Sequence, residues 1–317
     1  MRAATIREQE IVIEEHADPV AQAGEVLVRV HAAGLNGADM MQRRGLYPAP
    51  PGSPQDIPGM ELAGEVVALG PHPPGAGRFA VGERVMAIVG GGGQAELATV
   101  HERQLMPVPD ALDWPAAGGL PEVFITAHDA LFTQAELRCG EHLLVHGGAG
   151  GVGTAAIQLA RAVGARVTAT VRREELREQV AALGAEAIAP EGFAERGPFD
   201  VILELVGGPN LAENLQALAT GGRIAVIGVS AGAKGELNLL ALMGKRARIH
   251  GSTLRARALE EKALVARRLE HEVLPLFDAR PPALRVPIAD TFPLEHAAAA
   301  YERFAAGGKL GKIVLTV

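Results

Sequence analysis

The chain has 317 residues, a formal net charge of −7 and one cysteine, Cys139. That length exceeds the usual single-domain core and points to two domains, while the acidic balance argues against a broad phosphate-binding surface and so against nucleic acid as a partner. One thiol excludes an internal disulfide and fits a reducing cytoplasm; Met1–Glu8 has no apolar signal core, and no run of about 20 apolar residues is present to span a bilayer.

Residues 1 to about 117 read as short strands separated by Gly and Pro turns, such as Glu25–His31 and Leu62–Leu69. Tyr47–Pro54 and Pro71–Gly77 are too rich in proline and glycine for a helix or central strand and are expected as loops. From about 118 the pattern changes to apolar strands alternating with helices. The strands are Leu143–His146, Arg166–Val171, Val201–Leu205, Arg223–Ile227 and Ala247–His250; the helices are Thr154–Val163, Glu174–Leu183 and Leu211–Leu218. This alternation predicts a parallel sheet covered on both faces. A long helix, Ala258–Phe277, follows the sheet. The last stretch gives a helix over Glu295–Ala306, a Gly307-Gly308 stop and a strand over Gly311–Val317 that returns to the first domain.

The most informative segment is His146-Gly147-Gly148-Ala149-Gly150-Gly151-Val152-Gly153, between the first apolar strand of this half and a helix. The spacing Gly148, Gly150, Gly153 occurs in the strand, turn, helix order that a dinucleotide pyrophosphate requires. Glycines let the backbone turn tightly and approach the diphosphate, and the N–H groups and dipole of the following helix start stabilise its charge. Gly148, Ala149, Gly150, Gly151, Val152 and Gly153 are therefore candidate cofactor contacts.

The end of the next strand faces the adenosine ribose in such units, and an acidic residue about 20 positions beyond the glycines favours NAD. Arg172 and Arg173 stand there instead. Their fork-shaped donors match the oxygens of a 2′-phosphate, which reads as NADPH. The alternative is a solvated strand end neutralised by Glu174 and Glu175.

Ala33–Asp39, Arg44–Pro48, Pro58–Gly64, Pro121–Ala127, the glycine-rich loop, Gly251–Arg257 and Gly311–Leu315 together resemble the zinc-free quinone oxidoreductase branch of the medium-chain dehydrogenase/reductase superfamily over nearly the whole chain. They are most similar to its tumour-suppressor-inducible subgroup. The resemblance implies an α/β protein. A GroES-like, mostly β catalytic domain would comprise residues 1–117 and 274–317, and a Rossmann doubly wound parallel sheet, residues 118–273, would bind NADPH with the cofactor in the cleft. It also implies a homodimer through the edge of the Rossmann sheet, with Ala247–His250 as the edge strand.

Carried over residue by residue, the family pattern puts Asn36 and Tyr47 beside the acceptor and nicotinamide, where either can donate a hydrogen bond to a quinone oxygen. On their own, Asn36 also reads as a turn residue and Tyr47 as loop packing against prolines. Thr126 matches a nicotinamide contact or, at the start of a helix over Ala127–Phe132, an N-cap. Gly228, Val229 and Ser230 would line the nicotinamide side; Ser252, Leu254, Arg255 and Lys312 match cofactor contacts, with surface charge as the alternative for Arg255 and Lys312. Asp39 and Glu61 are signature positions expected to be structural. Two departures weaken the usual phosphate contacts: Leu176 replaces a family lysine and Pro190 a family tyrosine.

Zinc-dependent relatives carry a Cys and a His where this chain has Asn36 and Met60, and its ten histidines form no metal-ligand spacing. Hydride addition to a simple ketone creates an alkoxide needing a Lewis acid or strong proton donor, water itself having a pKa of about 15.7. A reduced quinone is phenolate-like, with a pKa near the value of about 10 for Tyr. The expected substrate is therefore a small-molecule quinone or other activated acceptor. The rival readings are an enoyl or alkenal double-bond reductase using the same cofactor, and a non-catalytic crystallin-like or RNA-binding protein.

Overall fold

A computed structural model describes residues 1–71, 77–281 and 283–317. Residues 72–76 of the expected Pro71–Gly77 loop lie outside the described residues. The chain forms two compact units, one of Met1–Ile125, Leu254–Gly307 and Lys312–Val317, the other of Thr126–Thr253 with Gly308–Gly311.

The first unit contains the strands β1 (Arg2–Arg7), β2 (Glu10–Glu15) and β3 (Glu25–Gly34), the helix α1 (Gly37–Arg43), and β4 (Glu61–Leu69), β5 (Arg84–Ile88), β6 (Leu97–His101) and β7 (Leu105–Pro107). The helices α2 (Trp114–Gly118) and α3 (Pro121–His128) follow, and the unit boundary falls inside α3. The main sheet runs β14-β15-β3-β4-β5-β7 with β6 also paired to β3, where β14 is Ile288–Pro293 and β15 is Lys312–Thr316. Alternation drives this architecture. Val26, Val28 and Val30 of β3 turn inward beside Leu62 and Val66 of β4 and Val85 and Ala87 of β5, while Arg29 of β3 faces outward.

The second unit is a doubly wound parallel sheet. Its elements are β8 (His142–Val145), α4 (Gly151–Ala162), β9 (Arg166–Thr170), α5 (Arg177–Ala181), β10 (Glu186–Ile188), β11 (Phe199–Glu204), α6 (Leu211–Ala217), β12 (Leu218–Val226), α7 (Leu239–Lys245) and β13 (Arg248–Gly251). The order is β10-β9-β8-β11-β12-β13, every pair parallel. Chain direction across the sheet therefore reverses between β8 and β11, the place where open α/β sheets bind ligands. Beneath the sheet, Arg223 of β12 is almost fully buried, pairing bidentately with Glu141 at 2.8 Å and donating to the Ala135 and Glu136 carbonyls.

Three expectations need correction. A sixth strand, β10, joins the sheet; its three residues alternate too little to register in the sequence. The expected helix Ala258–Phe277 is two helices, α8 (Leu259–Glu272) and α9 (Pro275–Asp278), because Pro275 has no N–H for a continuing helix. Thr126 is no N-cap: Pro121 begins α3 five residues earlier and puts Thr126 in its interior. After α9 and β14, α10 (Ala297–Ala306) covers β15, and its Tyr301 is wholly buried with Leu35, Met40 and Leu315. No helix among the described residues is long and apolar enough to cross a membrane.

Asp39, in the first turn of α1, is fully buried, and its carboxylate accepts the N–H of Asn36 at 2.8 Å and of Gly59 at 3.2 Å. Burial pushes this carboxyl up to about 6 from an ordinary 3.8, against the opposing pull of those N–H groups and of the Lys312 and Arg255 charges. A carboxyl raised on folding favours the native state below its unfolded pKa and loses that contribution as pH climbs through the folded value. The wild type should thus lose stability relative to Asp39→Asn between about pH 4 and pH 7, by about 3 kcal/mol at most. Denaturation midpoints measured for both proteins across that range would count against this if their difference stayed constant.

Candidate functional site

The glycine-rich segment sits where the sequence places it, between β8 and α4 at the reversal point of the second unit's sheet. Gly147 has φ +70°, a left-handed conformation that side chains rarely adopt. A Cβ on Gly153 would lie 2.4 Å from the Gly147 carbonyl oxygen, and one on Gly148 would lie 2.8 Å from the Ala169 methyl, so both positions need a bare backbone. The Gly148 N–H bonds the Thr170 carbonyl at 3.0 Å, tying the turn to the end of β9. Gly150 caps α4, whose first-turn N–H groups have no partner within the helix. A concave backbone with these donors fits a diphosphate.

Beyond β9, Arg172 and Arg173 are both exposed. Arg173 has one acidic neighbour, its Nη1 lying 3.6 Å from Glu175 Oε1, while Glu174 lies 4.0 Å from Arg177. Gly308 stands against the Arg173 guanidinium: a Cβ there would be 3.6 Å from Cζ. In the same unit, Gly311 donates its N–H to the Ala149 carbonyl at 2.8 Å, so the stretch preceding β15 runs along the glycine turn.

Other second-unit candidates follow the carboxyl ends of the remaining strands. Gly228, Val229 and Ser230 come after β12; a Cβ on Gly228 would meet the Leu205 carbonyl oxygen at 2.6 Å, and Ser230 Oγ donates to that carbonyl at 3.4 Å. Ser252 comes after β13, with Oγ 3.5 Å from Asp129 Oδ2. Thr126 is buried in α3. Sequence reasoning missed the group behind the turn. Glu204, at the end of β11, is buried and accepts the N–H groups of Val206 (2.6 Å) and Gly207 (2.7 Å) and the amide of Asn214 (2.7 Å). His146 bonds Asn214 Oδ1 at 2.7 Å and Thr170 Oγ1 at 3.1 Å, and burial lowers its pKa, which keeps the imidazole neutral. Only the position of His146, directly before the glycines, hinted at this support.

The first unit assembles the remaining candidates around two buried cations. Lys312, 2 % exposed, donates to the Leu35 carbonyl (2.8 Å), Asn36 Oδ1 (2.6 Å) and Glu61 Oε1 (2.6 Å), which matches three acceptors to its three N–H bonds. Asn36 in turn donates Nδ2 to Glu61 Oε1 at 2.9 Å and to the Gly34 carbonyl at 3.4 Å; Glu61 Oε2 accepts the Glu122 N–H at 2.8 Å. Gly34 permits this approach, since a Cβ there would lie 2.3 Å from Glu61 Oε1.

Arg255, 1 % exposed, donates Nε to the Gly90 carbonyl (2.8 Å), Nη1 to the Tyr47 carbonyl (3.0 Å) and Nη2 to Gln42 Oε1 (2.6 Å), with Cζ 5.3 Å from the Tyr47 ring centroid. Neither Lys312 nor Arg255 is the surface charge that their residue types suggested. Leu254 is buried beside Arg255. Half-buried Tyr47 has its phenol pushed above the ordinary value, chiefly by burial. Gln42 and Gly90 were not singled out in the sequence, and neither belongs to a recognisable motif.

Met60 is buried, and among the described residues no group of three or more His, Cys, Asp and Glu side chains is placed to hold a metal ion.

Two family descriptions match this chain: the alcohol dehydrogenase GroES-like domain over residues 22–110 and the zinc-binding dehydrogenase over residues 151–269. The quinone oxidoreductase of Rattus norvegicus is 33% identical, covering 94% of this chain and 90% of its own length; that of Homo sapiens is also 33% identical, covering 94% and 91%. Among solved structures, the quinone oxidoreductase of Thermus thermophilus, described also in complex with NADPH, aligns with a TM-score of 0.85 at 32% identity over 100% of both chains. The chain belongs to the medium-chain dehydrogenase/reductase superfamily of oxidoreductases, among the relatives of the quinone oxidoreductases.

Proposed function

We propose that this protein is an NADPH-dependent quinone oxidoreductase that works without zinc, in the cytoplasm and as a homodimer. The observation that carries the reading is the backbone cradle at Gly147–Gly153 followed by exposed Arg172 and Arg173, where an acidic residue would favour NAD. The quinone oxidoreductase relatives, and the NADPH complex described for the Thermus enzyme, support it.

When bound, NADPH supplies the reducing equivalents, by hydride or electron transfer. The second unit's part is to bind it: Gly148–Gly153 at the diphosphate, Arg172 and Arg173 at the 2′-phosphate, and Thr126, Gly228, Val229, Ser230 and Ser252 around the nicotinamide end. The first unit's part is the acceptor. The Tyr47 phenol is protonated at neutral pH, and burial pushes its pKa further up, so its O–H is available to donate to an acceptor oxygen. Asn36, with its amide pinned by Lys312 and Glu61, gives that end a fixed polar wall. Hydrogen bonds and solvent suffice for a reduced quinone, whose phenolate-like oxygen has a pKa of about 10, whereas an alkoxide needs stronger stabilisation. On this reading the residues of each unit act by position: they hold a reactant rather than polarise it.

For the dimer, β13 is an edge of the sheet, and nearby α7 exposes Leu239, Leu240 and Met243 at 63%, 78% and 69%. An exposed edge beside apolar side chains invites a second copy.

Purified protein should turn over a benzoquinone or naphthoquinone with NADPH, at a rate indifferent to a chelator and well above that with an α,β-unsaturated aldehyde. Faster aldehyde turnover would transfer the assignment to a double-bond reductase, and stoichiometric zinc in active enzyme would refute the metal-free reading. Replacing Arg172 and Arg173 together by Ser should weaken NADPH binding by about 100-fold, the loss of about 2.7 kcal/mol from two charge-assisted contacts, and leave NADH binding within about threefold. Equal losses for both cofactors would remove the phosphate assignment. Light scattering should give twice the chain mass, and Leu240→Asp should shift it toward the monomer; a monomeric wild type contradicts the edge-pairing reading.

A further inference from the structure

We infer that Arg255 is a positioning residue for the acceptor end of the site: its buried guanidinium holds the backbone and ring of Tyr47 in place and does not contact the cofactor. This inference rests on the reading that Tyr47 faces the acceptor.

Three pieces of chain far apart in sequence meet on this one side chain. Gln42 belongs to the last turn of α1, Tyr47 opens the proline-rich segment, and Gly90 follows β5. The guanidinium takes one acceptor from each, at 2.6, 3.0 and 2.8 Å, and lies over the Tyr47 ring. The proline-rich segment has no regular structure of its own beyond turns and bends. It closes instead onto Gly90, where a Cβ would sit 2.1 Å from Ser53 Oγ and 2.9 Å from Pro50 Cγ. Tyr47 is thus held at two points: through Arg255 directly, and through a loop pressed against a glycine whose carbonyl Arg255 also binds.

A planar fork with fixed donor directions can satisfy three divergent acceptors and stack on a ring; an ammonium at the end of a flexible stem cannot do all four. With 1 % exposure and these partners, the group is committed to the interior of the first unit. Position matters for a donor such as the Tyr47 hydroxyl, because a hydrogen bond to the acceptor weakens steeply with misalignment.

The test is a double-mutant cycle on the full chain with Arg255→Lys, Tyr47→Ala and both together, reading quinone KM and kcat, NADPH affinity by fluorescence and tyrosine ionisation by ultraviolet absorbance. Arg255→Lys should raise quinone KM about tenfold and leave NADPH affinity within about twofold. In the Tyr47→Ala background it should add little, since the side chain it acts through is gone. Gln42→Met, which removes one prong while keeping volume, should raise KM about threefold and serves if Arg255→Lys does not fold.

An NADPH affinity that falls as far as the quinone KM rises would make Arg255 a cofactor contact and overturn the inference. Effects that multiply in the double variant would overturn it as well, as would a fall in kcat alone, the sign of lost folded enzyme. Only two tyrosines are present, and Tyr301 is fully buried with its phenol well above the ordinary range, so the first ionisation step belongs to Tyr47. That step should vanish in Tyr47→Phe, and in Arg255→Lys, where the lysine keeps a cation nearby to hold the phenol down while the loosened ring loses the burial that raises it, the step should move down toward about 10. An unmoved step would overturn the inference without any turnover, whereas a wild type that reduces no quinone while this step moves would overturn only the functional reading.

Discussion

A buried cation must find acceptors for its hydrogens, and the first unit is organised around two such groups: all three N–H bonds of Lys312 are matched, and the Arg255 fork reaches three separate acceptors. Lys312 and Arg255 lie more than 200 residues downstream of most of the groups they bind. Removing one partner of a buried ion pair typically costs about 3–5 kcal/mol, because the remaining charge is stranded in a low dielectric. That cost applies to Lys312 and Glu61; Arg255, whose acceptors are two carbonyls and the Gln42 amide, is held by hydrogen bonds and the Tyr47 ring. The same logic recurs in the second unit, where the Glu204 carboxylate is surrounded by backbone N–H groups and an Asn amide directly behind the glycine turn.

Around these fixed groups the two units are built by different local devices. The second unit contributes shape: glycines at 147, 148 and 153, where a side chain would be strained or collide, and strand ends that converge on one edge of a parallel sheet. The first unit contributes polarity. Tyr47 and Asn36 are held by partners of opposite character, the phenol by a cation over its ring and the amide between an ammonium and a carboxylate.

Much of this was legible in the sequence where a local rule governs. Five of the six parallel strands were visible as apolar runs, and the glycine turn was visible because tight turns and close backbone approach demand one residue type. What was hidden depends on long-range pairing. Nothing local distinguishes Lys312 or Arg255 from the other cationic side chains of the chain; their burial exists only once β15 and the stretch after β13 meet β4, α1 and the loop at Tyr47. Gln42 and Gly90 matter only as acceptors for Arg255, so no motif marks them. Short β10 fails for a different reason: three half-exposed residues carry almost no periodic signal. The break at Pro275 was readable from proline chemistry alone.

The place of β15 bears on how the polypeptide folds as it is synthesised. This strand lies inside the first unit's sheet, between β14 and β3, yet it emerges from the ribosome after the entire parallel-sheet unit has appeared. The usual amino-to-carboxyl sequence of domain completion is therefore inverted: the internal unit has nearly all its residues available first, while Ala32–Gly34 of β3, beyond the stretch paired with β6, wait for residues 312–316. Even a short unpaired edge is a template for unwanted pairing, so a nascent chain that has not reached residue 312 carries one open site on the sheet of its first unit.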